Sequence, residues 1–215
     1  RHDIPVVRNL DHGLHFEAVV RALRLGFSSV MFDGSTLEYE ENIRQTREVV
    51  KMCHAVGVSV EAELGAVGGD EGGPLYGEAD SDKTNDPAVA RDFVDRTGID
   101  TLAVAIGNAH GKYKGEPKLD FDRLAAIRSQ TGIPLVLHGG SGISDEDFKK
   151  AITLGIHKIN FYTGMSQAAL GAIEQRMNQR HAIYDEFAEL LLGIEEAITD
   201  VVAQQMRIFG SSDKA

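Results

Sequence analysis

Three histidines stand at or just beyond the ends of short apolar runs: His12 in N-L-D-H-G, His110 in G-N-A-H-G and His138 in L-V-L-H-G-G-S-G. Three imidazoles leave one or two positions open on a zinc ion, the arrangement of a catalytic rather than a structural site. Zinc held that way polarises a carbonyl or activates water. The three lie far apart along the chain, so they act together only if the fold gathers them. Asp11 immediately precedes His12 and is a candidate acid or base. Glu61 and Glu63 alternate with Val60 and Ala62, so in a strand both point the same way. Buried carboxylates need a cation or a metal. Glu63 could touch a metal or orient a histidine, whereas Glu61 could form an internal ion pair with Lys158. Asn160 ends another apolar run, and its neutral amide can hydrogen-bond a developing enolate without changing charge. The remaining histidines, His2, His15, His54, His157 and His181, lie at the terminus, in helical patterns or at a strand start. They read as structural.

The stretch Leu135–Gly142 combines several of these signals. Ile133, Leu135, Val136 and Leu137 read as a buried parallel strand that presents His138 at its carboxyl end. Gly139, Gly140 and Gly142 let the following backbone approach an anion, and Ser141 adds a hydroxyl. Ser144 with Asp147 starts a helix directly afterwards. The order strand, histidine, glycine turn and helix N-terminus puts a possible metal ligand beside a phosphate cradle. Thr163 is expected to cap a later helix whose first amides could join the same cradle.

The elements that must position these groups alternate β and α. Strands are predicted at Pro5–Leu10, Ser29–Phe32, Val58–Leu64, Leu102–Ile106, the Leu135 run and His157–Phe161. Helices are predicted at His15–Leu25, Glu40–Ala55, Asp86–Thr97, Asp120–Gln130 and from Ser144 to Leu154. Helical sequence fills most of Thr163–Ile208, with a break near Arg180–His181. The polar loop Gly65–Asn85 is long enough to serve as a mobile cover over an active site. Strands linked by single helices imply a parallel sheet of right-handed βα units. The polar residues lie at the carboxyl ends of nearly every strand. A barrel brings all such ends to one face, whereas an open sheet gathers only those near its switch point. The expectation is therefore an α/β (β/α)8 TIM barrel spanning residues 1–215 as one domain, with the first two βα units absent from this chain and C-terminal helices over about 163–209.

Composition narrows the function classes. The chain has 215 residues, 42% hydrophobic and 26% charged, with a net charge of −11. No basic stripe favours nucleic acid. No apolar run approaches the roughly 20 residues of a membrane span. The single cysteine, Cys53, excludes an internal disulfide and fits a reducing compartment, so the expectation is a cytoplasmic protein.

Seven blocks recur in order: L-D-H-G at Leu10–Gly13, F-D-G-S at Phe32–Ser35, E-A-E-L-G at Glu61–Gly65, G-G-D-E at Gly68–Glu71, A-I-G-N-A-H-G at Ala105–Gly111, L-H-G-G-S-G at Leu137–Gly142 and K-I-N at Lys158–Asn160. Together they resemble the class II, zinc-dependent ketose-bisphosphate aldolases, the family of fructose- and tagatose-bisphosphate aldolases. The resemblance implies cleavage of a ketose 1-phosphate or 1,6-bisphosphate to dihydroxyacetone phosphate and an aldehyde. It matches His12, His110 and His138 to the zinc ligands, and Glu63 and Asp33 to an alternative or second metal position. Asp11 matches the residue that takes the C4 hydroxyl proton, Glu71 the loop acid that handles the proton of the ene-diolate, and Asn160 the amide beside it. Gly111, Gly139, Ser141 and Thr163 match the phosphate-binding turns. A monovalent cation, Na+ or K+, and assembly as a homodimer or homotetramer are implied as well. Asn9 and Tyr162 depart from the family pattern, and no arginine signature for a second phosphate is present. Two other readings are a Schiff-base aldolase using Lys158 and a non-catalytic phosphosugar-binding protein; keeping an acid/base pair with all three histidines favours catalysis.

Overall fold

A computed structural model describes residues 4–65, 68–69, 86–110, 117–178, 186–212 and 214. Among these, six parallel strands form one sheet. They are β1 (Asn9–Gly13), β2 (Ser29–Phe32), β3 (Ser59–Leu64), β5 (Thr101–Val104), β7 (Leu135–Leu137) and β8 (Ile156–Ile159), hydrogen-bonded in that order. Two short strands, β4 (Gly68–Gly69) and β6 (Ala109–His110), pair with each other in parallel as a separate sheet. The helices α1 (Phe16–Arg24), α2 (Tyr39–His54), α3 (Pro87–Thr97), α4 (Phe121–Thr131) and α5 (Asp145–Thr153) connect successive strands of the sheet.

Local chemistry sets the helix ends. The Asp86 carboxylate accepts from the Ala88 amide at 2.7 Å, ahead of Pro87, and Gly98 closes α3 in the left-handed conformation at φ 73°. Ser144 accepts from the Asp147 amide at 3.1 Å to start α5.

Strand alternation divides the side chains between two faces. Val30, Phe32, Val60, Ala62, Leu64, Leu102, Val104, Leu135 and Leu137 are buried in the main core together with Val19, Val49, Phe93, Leu124, Ile127 and Phe148 of the helices. The intervening residues face the other way. Met31, Ala103 and Val136 form a separate small apolar cluster, and Glu61, Glu63 and Lys158 share their side. The register ties these together: Met31 pairs with Glu61, Ala103 with both Glu63 and Val136, and Val136 with Lys158. The sheet curls strongly, because side chains of β1 touch those at the ends of β7 and β8 although several strands separate them.

One expectation shifts. The first strand begins at Asn9 rather than Pro5, because pairing with β2 starts at Ser29; Ile4, Val6 and Val7 are exposed. The C-terminal helical sequence resolves into α6 (Thr163–Asn178), α7 (Phe187–Leu190) and α8 (Ile194–Ile208), with the predicted break outside the described residues and α6 packed on α8.

Candidate active site

The carboxyl end of β1 is irregular. Its register against β2 shifts between Leu10 and Gly13. His12 has a φ of 43°, uncommon for a residue with a Cβ. Such a conformation costs of the order of 1 kcal/mol or more and persists only where its surroundings enforce it. In a regular strand Asp11 and His12 would face opposite ways; here both reach the same side. Gly13 must follow, since a Cβ there would come within 2.7 Å of the Met31 carbonyl oxygen.

Two imidazoles meet at this mouth, each fixed from behind by a buried carboxylate. His12 Nδ1 donates to Asp33 Oδ2 at 2.8 Å. Asp33 Oδ1 in turn accepts from the Ser35 amide at 3.0 Å and the Ser35 hydroxyl at 2.6 Å. His138 Nε2 donates to Glu61 Oε1 at 2.8 Å, and Glu61 Oε2 accepts from Lys158 Nζ at 2.6 Å. His138 is fully buried, and the Asp33 and Glu61 side chains are 1% and 2% exposed. Burial pushes the Asp33 carboxyl up, but the hydrogen bonds from His12 and Ser35 outweigh it and bring it down to about 2. Burial also pushes Glu61 up, and the His138 hydrogen bond with the Lys158 charge reverses that, holding it below the usual carboxylate range.

The remaining nitrogens, His12 Nε2 and His138 Nδ1, face each other at 3.0 Å. With both outer nitrogens donating to carboxylates, two neutral rings would point lone pairs at one another. The arrangement calls for a positive charge between them. Nitrogens bound to one zinc ion through bonds of about 2.0–2.1 Å lie at a comparable separation. Asp11, His12 and His138 offer donor atoms within 4.8 Å of one another, and so do His12, Asp33 and Glu63. The donor set of nitrogens and carboxylate oxygens suits a divalent ion.

The low folded-state value of Asp33 makes it stabilising above its ordinary value of 3.8, and that contribution is lost as pH falls through about 2. In chelator, the stability advantage of the wild-type chain over Asp33→Asn is expected to shrink by about 2 kcal/mol between pH 5 and pH 2. Denaturant titrations across that range check this; a pH-independent difference counts against it.

Asn160 follows β8, and its Nδ2 donates to Asp11 Oδ1 at 2.8 Å while lying 3.3 Å from His138 Nδ1. The glycine turn after β7 uses left-handed backbone at Gly139 and Gly142, with φ of 66° and 110°. Ser141 Oγ accepts from the Gly164 amide at 2.9 Å, which clamps this turn to the first turn of α6. The cap differs from expectation. Thr163 is the first helical residue, and the Tyr162 carbonyl accepts from the Ser166 amide, so the helical hydrogen bonding starts one residue before Thr163.

The structure thus brings Asp11, His12, Asp33, Glu61, Glu63, His138 and Asn160 together, beside the Gly139–Ser141 turn and Thr163. The backbone of His110 lies in β6, with its side chain outside the described part of the structure. Glu71, Gly111 and most of the loop 65–85 also lie outside the described residues. Two positioning residues escaped the sequence reading. Buried Asn108 donates to the His138 carbonyl at 3.0 Å and accepts from the Ile106 amide at 2.8 Å. Asn42 on α2 donates to the Glu63 carbonyl at 3.2 Å and accepts from Thr46. Asn108 had a signal, its place within G-N-A-H-G; Asn42, in a polar helical stretch, had none.

Comparison with known proteins agrees with this geometry. The family described as "Fructose-bisphosphate aldolase class-II" matches residues 1–214. A fructose-bisphosphate aldolase of Staphylococcus epidermidis is 46% identical over 212 residues, covering 99% of this chain and 73% of that protein. The protein YdjI of Escherichia coli K12 is 43% identical over 213 residues, with the same coverage. The crystal structure of the YdjI aldolase superposes with a TM-score of 0.81 at 39% identity, covering 99% of this chain and 72% of that one.

Proposed function

The chain belongs to the class II fructose-bisphosphate aldolase family, a family of lyases, and from that premise we propose that it is a zinc-dependent aldolase. It cleaves a ketose 1-phosphate or 1,6-bisphosphate to dihydroxyacetone phosphate and an aldehyde, and runs the reverse condensation. The observation that carries this reading is the pair of imidazoles facing at 3.0 Å, each with its outer nitrogen bonded to a buried carboxylate, beside Asp11 and Asn160.

His12 and His138 would hold the ion, with His110 as third ligand and Glu63 and Asp33 as an alternative or second position. When bound, zinc supplies an electron sink at the substrate carbonyl. Asp11 is exposed at the mouth and takes the proton of the C4 hydroxyl as the C3–C4 bond breaks. Asn160 orients Asp11 through its amide and lies where the same amide can stabilise the ene-diolate left on the phosphate-bearing half. Glu71 returns a proton to that carbon. The amides of the Gly139–Ser141 turn and of α6, with Gly111 and Thr163, hold the C1 phosphate and so place C2 and C4 against these groups. A monovalent cation beside the phosphate, the closed eight-stranded barrel around the six-stranded curl, and a homodimer or homotetramer belong to the same reading. For the last, exposed Leu170, Met177 and Met206 on α6 and α8 offer apolar surface. No helix among the described residues is long and apolar enough to cross a membrane.

A Schiff-base mechanism fits less well. Lys158 is engaged in an ion pair with Glu61 at 2.6 Å, and a protonated, paired ammonium is not a nucleophile. A panel of ketose 1-phosphates and bisphosphates, scored for release of dihydroxyacetone phosphate, tests the proposal. Activity is expected on at least one member, lost in EDTA and restored by Zn2+. EDTA-resistant cleavage with borohydride trapping on Lys158 would overturn it.

A further inference from the structure

We infer that Glu61, backed by Lys158, is a positioning residue that fixes the tautomer of His138 and thereby selects Nδ1 as the nitrogen offered to the metal. This rests on the metal-centre reading above and extends it. A carboxylate can only accept, so the ring nitrogen against it must carry the proton. Glu61 Oε1 lies 2.8 Å from His138 Nε2, which leaves the lone pair on Nδ1. The two carboxylate oxygens are divided between partners: Oε1 takes the ring and Oε2 takes Lys158 Nζ at 2.6 Å. An ion pair serving only to neutralise a charge would not need to spend one oxygen on the imidazole. Lys158 balances the buried charge, so Glu61 stays against the ring rather than turning elsewhere.

On the other side the selection is reversed. Asp33 accepts from His12 Nδ1 and leaves Nε2 outward. The rings therefore offer opposite nitrogens, Nε2 from His12 and Nδ1 from His138, the only combination in which the observed 3.0 Å approach points both lone pairs at a shared centre. Glu61 on β3 and Lys158 on β8 are separated in the sheet order by β5 and β7, so the clamp also spans the concave face.

Zinc affinity of the full chain, measured by competition with a chromogenic chelator, tests this. Glu61→Gln is expected to weaken binding about 10- to 100-fold. Lys158→Met is expected to weaken it too, but to add less than about threefold in the Glu61→Gln background, because Lys158 acts through Glu61. In the zinc-loaded wild-type chain labelled with 15N-histidine, His138 should show a protonated Nε2 and a metal-bound Nδ1. Coordination through Nε2, or Glu61→Gln affinity within about twofold of wild type, would overturn the inference. His138→Ala separates the two levels. If it loses zinc while Glu61→Gln keeps it, the clamp is wrong and the metal centre stands; if His138→Ala binds zinc like wild type, the metal centre itself is wrong. Should Glu61→Gln fail to fold by circular dichroism, the nitrogen assignment in the wild-type chain decides alone.

Discussion

Asp11→Asn is expected to keep its bound metal and lose about 10²- to 10⁴-fold in turnover. The amide is isosteric and still fits beside Asn160, but it cannot accept the C4 hydroxyl proton. The two contributions of Asp11 can be separated. One is electrostatic, since one of its oxygens lies within 4.8 Å of a donor nitrogen of His12 and of His138. The other is as a base. Loss of the first would raise metal dissociation and the apparent KM together, whereas loss of the second lowers kcat alone. Asp11 is exposed, and among the described residues it accepts from the Asn160 amide at 2.8 Å, so it is placed to meet a substrate rather than to build the centre. Metal analysis and steady-state kinetics on the same preparation check this. Near-normal kcat would remove Asp11 from the proton transfer.

His138→Ala is expected to abolish stoichiometric metal binding and reduce cleavage by about 10³-fold or more, since a metal acting as Lewis acid contributes several kcal/mol to the barrier. The side chain is completely buried, and its loss leaves Glu61 facing a void on one oxygen while Lys158 still holds the other. The main-chain anchor is untouched, because Asn108 grips the carbonyl of residue 138 rather than its ring. The fold should therefore survive with a modest loss of stability, and inactivity can be assigned to the missing ligand. Elemental analysis after gel filtration is the direct check; one zinc per chain in the variant would refute the assignment.

Much of the scaffold was legible because its signals are local. Pro87 behind Asp86, Gly98 after Thr97 and the apolar runs of β3, β5 and β7 all report on their own neighbourhood. The alternation V-E-A-E-L by itself puts Glu61 and Glu63 on one face, and the Glu61–Lys158 pair is legible as an ion pair between two strands. The placement of both Asp11 and His12 at the mouth was not. It depends on a register shift and a left-handed residue that period-two alternation argues against. The tautomer-setting contacts of Asp33 and Glu61 were also out of reach: the first depends on the irregular end of β1 that turns His12 toward β2, and the second joins residues 77 apart in sequence. Asn42 supports Glu63 from a helix whose pattern announces only amphipathicity. What sequence cannot supply here is the curvature that turns separate strand ends into neighbours.

The bond from Asn160 to Asp11 has a wider consequence, because it links the first and last strands of the sheet, elements that are otherwise the most distant in its hydrogen-bonding order. The proposed base is aimed by a residue from the opposite margin. On that reading turnover gauges how closely the ends of β1 and β8 are held: a change that leaves every strand intact, yet draws Asn160 away from Asp11, misaims the base first.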